Sequence, residues 1–339
     1  PSLVKEPIII IENEGWHAGV VGIVAARMVE KYAKPCLIIS CDGDEAKGSG
    51  RSIEGFSLYD ALCIVKDCLT HYGGHTLAVG FSLKTADIPD FREKINRYAS
   101  GVDMPFARLN IDCKLRAEAL TVKTVEAFSV LEPFGAGNPQ PTVGVYGVTL
   151  TSVQPIGNGK HLRLGFTKKG CSFTALRFGM GEDKFQYEPG DVLDLAVKPE
   201  INEFRGETSV SVQIKGIRPA GRDDDAFLSG VALFEKITRG AEITKQEALE
   251  AYPDRSFVSA VYKTVRDLKV KQADPDKICM YTGKDKASVC RTLIACEALF
   301  ELGILEKNED GNPVLPQVTV KNSLDNSILL LKLKRIAGV

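Results

Sequence analysis

The fold of the first third of the chain is decided by residues 7–40, which read PIIIIENEGWHAGVVGIVAARMVEKYAKPCLIIS. Pro7–Glu12 is a short β-branched run, which is typical of a buried strand. Val20–Tyr32 then carries apolar residues at helical spacing, and Pro35 ends that pattern before a second buried run, Cys36–Ser40. A strand, a helix and a second strand in this order predict an α/β layer.

The middle third consists of short alternating runs that are separated by Gly, Pro and Asn turns. These runs are Thr142–Leu150, His161–Thr167, Cys171–Phe178, Val192–Val197 and Thr208–Ile217. Several short strands at close spacing are typical of a small barrel or sandwich. A five-stranded Greek-key barrel of the OB type fits that count.

The last third is rich in helical patterns, which follow the acidic triple Asp223–Asp225. We interpret this triple as part of a solvated linker. The predicted helices are Ala226–Ile237, Ile243–Ala251, Phe257–Lys269 and Lys286–Leu302. A turn at 309–312 and a strand at 314–320 then predict a winged-helix-like end. The sequence thus predicts an α/β domain (1–107), an OB-fold β-barrel (108–219) and an α-rich winged-helix-like domain (226–339).

The composition is that of an ordinary globular protein and excludes several classes. The chain has 339 residues, of which 44% are hydrophobic and 26% are charged. Because its net charge is only −1, it does not belong to the strongly basic proteins that coat nucleic acids. Its apolar stretches are far shorter than the roughly 20 residues of a membrane span. The nine cysteines form no Cys-x-x-Cys pair, which predicts reduced thiols in a cytoplasmic protein without contact to a membrane.

Residues 48–52, GSGRS, are the strongest local signal for chemistry. Because they follow a strand, we expect them on a loop at the sheet edge. Gly50 lets the backbone turn its amides toward a ligand, Arg51 offers a planar fork that matches phosphate, and Ser49 and Ser52 add donors. The alternative is a flexible turn with an ordinary surface arginine. Ahead of the next helix, Ser57–Leu69, Ser57 is the expected N-cap.

Two further glycine-rich motifs carry histidines. Gly74 and His75 belong to Gly-Gly-His at 73–75, where the imidazole could donate to a phosphate oxygen, or could pack behind a turn. His17 lies between a strand and a helix N-terminus, which is a favourable position for an anion. The sequence leaves two interpretations of His17, as a ligand-binding residue or as a packed residue. No grouping of the four histidines with carboxylates predicts a metal site or a hydrolytic centre.

Basic residues cluster in the predicted barrel. Between Lys160 and Lys184 there are six basic residues against two acidic ones. Lys160 and Arg163 flank a Gly-Asn-Gly turn, with Phe166, Phe173 and Phe178 nearby in sequence. A cationic groove with stacking faces is how barrels hold single strands, although phenylalanines in strands usually belong to the core.

These motifs, in this order and followed by a small barrel, resemble the RecJ family of single-strand-specific 5′→3′ DNA exonucleases. The stretches GWHAGVVGIVA (15–25), GSGRS and GGH look like the signature of the DHH-associated domain. The stretches PFGAGNPQP (133–141) and GKHL (159–162) look like the RecJ OB domain. The resemblance implies that Ser49, Gly50, Arg51, Ser52, Gly74, His75 and His17 hold phosphates at the active-site cleft. It also implies that Lys160 and Arg163 guide single-stranded DNA on the barrel.

The resemblance further implies a hydrolase of DNA repair and recombination that uses Mn²⁺ or Mg²⁺. The catalytic DHH domain of the family, which holds these ions, has no counterpart in this sequence. We therefore expect a fragment of a longer enzyme that has no catalytic residue, binds no metal and is inactive alone. In relatives, an added C-terminal region binds proteins that include single-strand-binding protein, so residues 226–339 imply such partners.

Two other functions remain open at this point. The chain could be a non-catalytic module that binds nucleic acid or protein. It could also be the tail of a DHH-family phosphodiesterase that acts on small nucleotides, although such enzymes need no OB domain.

Overall fold

The computed structural model describes residues 6–17, 19–102, 104–105, 109–135, 137–268, 274–282, 288–308, 311–317 and 322–339. Some positions of the predicted features lie outside these residues. They are residue 18 of the motif at 15–25, residue 136 of the motif at 133–141, and residues 269 and 286–287 of two predicted helices. Residues 309–310 of the predicted turn and 318–320 of the last predicted strand also lie outside. The chain folds into two compact units, Pro1–Arg108 and Leu109–Val339. The division of the second unit into a barrel domain and a helical domain stays a prediction.

The first unit is a five-stranded sheet with helices on its faces, which confirms the predicted α/β layer. Its strands are β1 (Ile9–Glu14), β2 (Cys36–Asp42), β3 (Glu45–Arg51), β4 (His71–His75) and β5 (Ala78–Lys84). Its helices are α1 (Val21–Tyr32), α2 (Leu58–Ile64) and α3 (Ile88–Ser100). The strand order is β1-β2-β3-β5-β4, in which β1 and β2 are parallel and the other pairs are antiparallel.

The expectation that residues 48–52 form a loop is wrong, because all but the last of them lie in the central strand β3. A Cβ atom added at Gly48 would lie 2.2 Å from Cζ of Phe81, and one added at Gly50 would lie 2.4 Å from Cδ2 of Leu37. Large side chains of the neighbouring strands thus lean over β3, and only glycine fits beneath them. The two glycines mark close packing within a sheet.

The two faces of this sheet are covered to different extents. One face carries the main core, in which Leu37 and Phe81 pack with α2 and α3. On the other face, Val21 and Ala25 of α1 pack on Ile38 of β2 in a smaller cluster with β1. No described helix of this unit covers the second face over β5 and β4. Half of one sheet face therefore remains open.

The second unit begins with a β-barrel. Its strands are β6 (Cys113–Lys114), β7 (Val143–Ile156), β8 (His161–Lys168), β9 (Cys171–Arg177), β10 (Val192–Phe204) and β11 (Glu207–Pro219), and the short helix α4 (Val122–Glu126) precedes β7. Strands β7 to β11 close into a ring, because β10 pairs with both β7 and β11, and β11 pairs with β9. All five predicted strands are present, and the predicted OB-like barrel is confirmed.

Buried and more exposed side chains alternate along β8, so that one face of the strand belongs to the barrel core and the other to the surface. Leu162, Leu164 and Phe166 are fully buried, and Phe166 stacks on Phe173 of β9 with ring centroids 5.5 Å apart. Phe178 instead lies just beyond β9 and is half exposed. Of the three phenylalanines near the basic cluster, two therefore belong to the core.

The chain ends in helices and one small hairpin. The helices are α5 (Asp224–Thr238), α6 (Lys245–Ala251), α7 (Arg255–Asp267), α8 (Pro275–Thr282), α9 (Ser288–Glu301) and α10 (Ile328–Ala337), and the hairpin strands are β12 (Glu306–Lys307) and β13 (Pro313–Val314). Four of these helices match the predicted ones, whereas α8 and α10 were not predicted. The hairpin directly follows α9, in the order that a winged helix requires.

The interpretation of residues 223–225 as a solvated linker is wrong. Asp223 is the N-cap of α5, and its carboxylate accepts a hydrogen bond from the amide of Ala226. Asp224 pairs with Arg218 and Arg222. Acidic side chains are favourable in the first turn of a helix, so this triple starts the helix.

Helix α8 is joined to the barrel by a buried ionic cluster. Lys277 has no exposed surface, and its ammonium pairs with the carboxylate of Asp191, which is 3% exposed. The Tyr281 hydroxyl donates to the same carboxylate, and Gln186 exchanges hydrogen bonds with Asp274. A buried charge is tolerated only when it is paired in this way.

All nine cysteines are free thiols, as expected from their spacing. Six are buried, two are half-buried, and Cys113 alone among them is exposed. Within the described residues, no helix has the length and apolar character that a membrane span needs.

Candidate nucleic-acid interface

The open half of the first sheet brings three polar rows together on β3, β5 and β4. Residues that lie directly opposite each other across antiparallel strands share a face. The rows are Arg51–Ala78–His75, Ser49–Gly80–Gly73 and Lys47–Ser82–His71. The sheet thus juxtaposes Arg51, Ser49 and His75, which are distant in sequence.

Glycines form the floor of this surface. A Cβ atom added at Gly73 or Gly80 would meet no heavy atom within 4 Å, so both positions face open space. Lys47 is exposed beside them, as are both histidines of the edge strand β4. A floor without side chains, with cations and hydroxyls at its rim, lets the backbone of an anionic ligand approach closely.

Arg51 is held in place without a carboxylate. Its Nη1 donates to the carbonyl of Gly50 at 2.8 Å and to Oγ of Ser49 at 3.4 Å. Helix α1 passes close by at Gly22, where a Cβ atom would lie 3.3 Å from Nη2 of Arg51. No described acidic residue forms an ion pair with this half-buried guanidinium, so its charge is available to an anionic ligand.

Three other residues that the motifs singled out have roles in the local backbone. Gly50 is buried and packs against the core, as shown above. The Ser52 hydroxyl donates to the carbonyl of Phe56 at 2.7 Å. Gly74 has φ +139°, and a Cβ atom there would lie 2.3 Å from the carbonyl oxygen of Ala78. Their participation in phosphate binding stays a prediction.

His17 lies in the exposed loop between β1 and α1. Its Nδ1 accepts a hydrogen bond from the amide of Gly19 at 3.1 Å. The loop is tied to β2, because the Ser40 hydroxyl donates to the carbonyl of Trp16 at 2.5 Å. Val20, the N-cap of α1, makes no side-chain cap bond, and the first turn has no acidic residue. The imidazole therefore stands beside a helix N-terminus that has no anionic side chain of its own.

Lys160 and Arg163 are both exposed on the barrel, in the second unit. Lys160 lies in the turn between β7 and β8, and Arg163 lies on the outer face of β8. Next to them, Nδ1 of His161 accepts a hydrogen bond from the amide of Gly179 at 2.9 Å, and its ring packs edge-on against Phe178 at 5.2 Å. One exposed aromatic side chain therefore accompanies the two cations.

Arg177, which also belongs to the basic cluster of the sequence, has a structural place. Its Nη1 donates to the carbonyls of Ile214 and Lys215 at 2.9 and 3.0 Å and so ties β9 to β11. Burial lowers the pKa of this guanidinium, and Nε is buried without a hydrogen-bond partner among the described residues. Arg177 therefore adds little to the outer surface.

The sequence reasoning missed an aromatic and basic pair in the turn between β10 and β11. Phe204 is 65% exposed, and the guanidinium of Arg205 lies 5.2 Å from the centroid of its ring. OB folds bind oligonucleotides through the strand 2 and 3 face and the loops that follow strands 1 and 4. Lys160 occupies the first of these loops and Phe204–Arg205 the second. The signal in the sequence was Phe-Arg-Gly at 204–206.

The described residues do not fit a catalytic metal. No group of three or more His, Cys, Asp and Glu side chains in this part of the chain is arranged to hold an ion. Mn²⁺ and Mg²⁺ sites in nucleases use several clustered carboxylates.

Comparison with known proteins identifies one domain in each unit. A family model of the DHHA1 domain matches residues 5–101, and a family model of the RecJ OB domain matches residues 111–216. The single-stranded-DNA-specific exonuclease RecJ of Bacillus subtilis is 32% identical over 261 residues, which cover 74% of this chain and 31% of that protein. The RecJ exonuclease of Thermus thermophilus is 29% identical over 235 residues, which cover 67% of this chain and 31% of that protein.

Solved structures agree with this comparison. The crystal structure of RecJ from Thermus thermophilus in complex with Mn²⁺ matches with a TM-score of 0.55 and 27% identity, over 64% of this chain and 32% of that chain. A second structure of that protein, in complex with Mg²⁺, matches with the same TM-score. The chain spans about a third of the length of these relatives. By its two domains, its relatives and its fold, this chain belongs to the RecJ family and holds the DHHA1 and RecJ OB domains of that family.

Proposed function

We propose that this chain is the strand-holding part of a RecJ-type exonuclease that hydrolyses single-stranded DNA from the 5′ end. The observation that carries the proposal is the open sheet face on which Arg51, Ser49 and His75 surround the glycine floor. The relatives are single-stranded-DNA-specific exonucleases. The OB barrel favours this function over that of a small-nucleotide phosphodiesterase.

The geometry suggests how one phosphodiester group is held. Arg51 and His75 lie on strands that flank β5, so their Cα atoms are about 9.5 Å apart. We expect both side chains to contact a phosphate that lies between them over β5, next to the glycine floor at Gly80. The guanidinium neutralises charge through a bidentate contact, and the imidazole donates to a further oxygen. These contacts position the strand for attack at phosphorus.

The substitution Arg51→Ala tests this proposal. Loss of a charge-assisted phosphate contact should weaken binding of 5′-phosphorylated single-stranded DNA by about 1.5–3 kcal/mol. The slope of log K against log salt should fall by about 0.7. Fluorescence anisotropy across a salt series measures both quantities. Arg97→Ala is the matched control, because Arg97 is exposed on α3 and pairs with Glu93.

Unchanged affinity and salt slope in Arg51→Ala would contradict the proposed site. The chain would then be better described as an interaction module without a phosphate-holding role. Equal affinity of the wild type for duplex and for single-stranded DNA would contradict the proposed substrate.

We propose that hydrolysis depends on Mn²⁺ or Mg²⁺ held by a catalytic DHH domain that is not part of this chain. The relatives of known structure are Mn²⁺ and Mg²⁺ complexes, and most of their length has no counterpart here. The expected result is that the purified 339-residue chain binds labelled single-stranded DNA but does not shorten it when MnCl₂ is added. Shortening of the labelled strand, seen on a denaturing gel, would contradict this proposal.

We also propose that the helical region takes a protein partner, such as single-strand-binding protein. A cavity of about 230 Å³ between α7 and α10 supports this proposal. Its floor includes Val258 and Leu330, and its rim carries the cations Arg255 and Lys334 together with Asp325. Such a cavity suits a segment with apolar and acidic side chains. Titration of single-strand-binding protein against the wild type and Lys334→Glu tests it, and equal affinities would contradict it.

A further inference from the structure

A basic cavity lies on the barrel, at the end of β8 opposite to Lys160. It has a volume of about 200 Å³. Its walls come from β6 and the segment after it, from Tyr146 of β7, and from the turn between β8 and β9. The basic side chains of this cavity are Lys114, Arg116, Lys168 and Lys169. We call this group the β8–β9 cavity.

The charge of the β8–β9 cavity is not neutralised. Four cations face one acidic residue of the lining, Glu118, and none of the four forms an ion pair with a described residue. Lys114, Arg116 and Lys169 are exposed. Lys168 is half-buried and donates to the backbone carbonyl of Tyr146. Clustered cations without counter-charges produce a positive potential that attracts anions.

Tyr146 supplies an aromatic surface in this cavity. Its ring lies across the backbone of Gly144, where an added Cβ atom would be 2.4 Å from Cε2 of the ring. The ammonium of Lys114 lies 5.4 Å from the ring centroid. The absence of a side chain at Gly144 therefore leaves room for the ring over the strand, and the ring is partly exposed. An aromatic ring beside cations is the combination that binds a nucleotide of a single strand.

The cavity is separate from the loops by which OB folds usually hold oligonucleotides. Lys160 precedes β8 and Lys169 follows it, and β8 has eight residues. A strand of that length spans roughly 25 Å. The two basic groups thus lie at opposite ends of the same strand.

We propose that the β8–β9 cavity binds one nucleotide of a single-stranded nucleic acid, with the phosphate on Arg116 and Lys169 and the base stacked on Tyr146. The inference rests on the proposed function, because it assigns a second contact to the same substrate. A single strand held here and at Lys160 runs along the barrel for the length of β8.

The double substitution Arg116→Ala/Lys169→Ala tests the phosphate contacts in the 339-residue chain. The salt slope for a single-stranded oligonucleotide should fall by about 1.4, which is about 0.7 for each lost contact. Affinity at low salt should fall at least about tenfold. The matched control is Lys123→Ala/Lys184→Ala, which removes two exposed charges of the same unit outside the cavity.

Substitutions of Tyr146 test the stacking contact. Tyr146→Leu should weaken binding about tenfold, whereas Tyr146→Phe should bind like the wild type, because the ring is kept. An oligonucleotide with abasic sites keeps the phosphates and removes the bases. Tyr146→Leu and the wild type should bind it equally. Thermal unfolding of each variant establishes that the barrel is folded.

The outcomes distinguish this inference from the proposed function. If the wild type does not bind single-stranded DNA, the proposed function fails. If the wild type binds and the cavity variants bind equally well, only the β8–β9 cavity is contradicted. Equal losses in the double variant and in its matched control would show that net charge alone acts, and would also contradict the cavity.

Discussion

Glycine serves two opposite purposes within the sheet of the DHHA1 domain. Gly48 and Gly50 of β3 lie beneath large side chains of the core, where a Cβ atom has no room. Gly73 and Gly80 lie on the opposite face, where a Cβ atom would meet nothing. The first pair permits close packing, and the second keeps the floor of the candidate site free. Sequence alone did not separate these uses, because it predicts a loop at residues 48–52 and a turn at Gly73, and gives no signal at Gly80.

The substitution Gly48→Ala should destabilise the protein by about 1–3 kcal/mol, because the new methyl group overlaps the ring of Phe81. Gly80→Ala is the matched control, and its free energy of unfolding should stay within about 0.5 kcal/mol of the wild type. Urea unfolding followed by circular dichroism measures both. Equal stability of the two variants would contradict this account of β3.

At the scale of elements, the sequence predicted what hydrophobic periodicity can show. All five barrel strands and four of the six C-terminal helices follow their apolar patterns. The misplaced elements depend on partners that are distant in sequence. Residues 48–51 form a strand because Phe81 and Leu37 cover their glycines. Asp223 starts a helix because the segment after it packs with the other C-terminal helices. The sequence of residues 223–225 alone is also typical of a linker.

Helix α6 offers a test of local stabilisation. The Thr244 hydroxyl accepts a hydrogen bond from the amide of Glu247 at 3.1 Å, and the Glu247 carboxylate accepts one from the amide of Thr244 at 2.7 Å. Thr244→Ala should lower the free energy of unfolding by about 1 kcal/mol. Thr238→Ala, at the exposed end of α5, should change it by less than about 0.5 kcal/mol. Chemical unfolding of both variants compares them, and a smaller loss in Thr244→Ala than in Thr238→Ala would contradict the capping role.

At the scale of the whole molecule, the cluster around Lys277 escaped sequence reasoning for a physical reason. Lys277 is a buried lysine whose partner Asp191 lies 86 residues away. A lone lysine in a helical segment gives no signal of burial, because the compensating charge belongs to another element. The open sheet face was partly predictable, since Arg51 and His75 were singled out by their motifs. Their juxtaposition with Lys47 and His71 follows only from the strand order.

The stability of the protein should depend on pH through Asp276 of α8, which pairs with Arg222. Burial raises the pKa of Asp276 to about 6, while Arg222 opposes this shift and Asp274 adds to it. The pKa in the folded state thus exceeds the ordinary value of about 3.9. Between about pH 4 and 6 the folded state binds the extra proton, so this contribution to stability is greatest below about pH 4 and is lost as the pH rises through about 6.

The substitution Asp276→Asn should flatten this dependence. Urea unfolding between about pH 4 and 6.5 should show a smaller fall in the free energy of unfolding for the variant than for the wild type. Asp267→Asn should keep the slope of the wild type, because Asp267 is exposed and Arg266 lowers the pKa of its carboxyl. Parallel curves for Asp276→Asn and the wild type would contradict the assignment.

The uneven exposure of the thiols has a practical consequence. Burial raises the pKa of the Cys36, Cys290 and Cys296 thiols to about 12, so these groups stay protonated and react slowly. Cys113 is exposed and adjoins Lys114 of the β8–β9 cavity. A maleimide dye should therefore attach first at Cys113, without any engineered cysteine. The unaltered chain thus carries its own attachment point for a fluorophore, where its emission can report the arrival of a nucleic-acid strand.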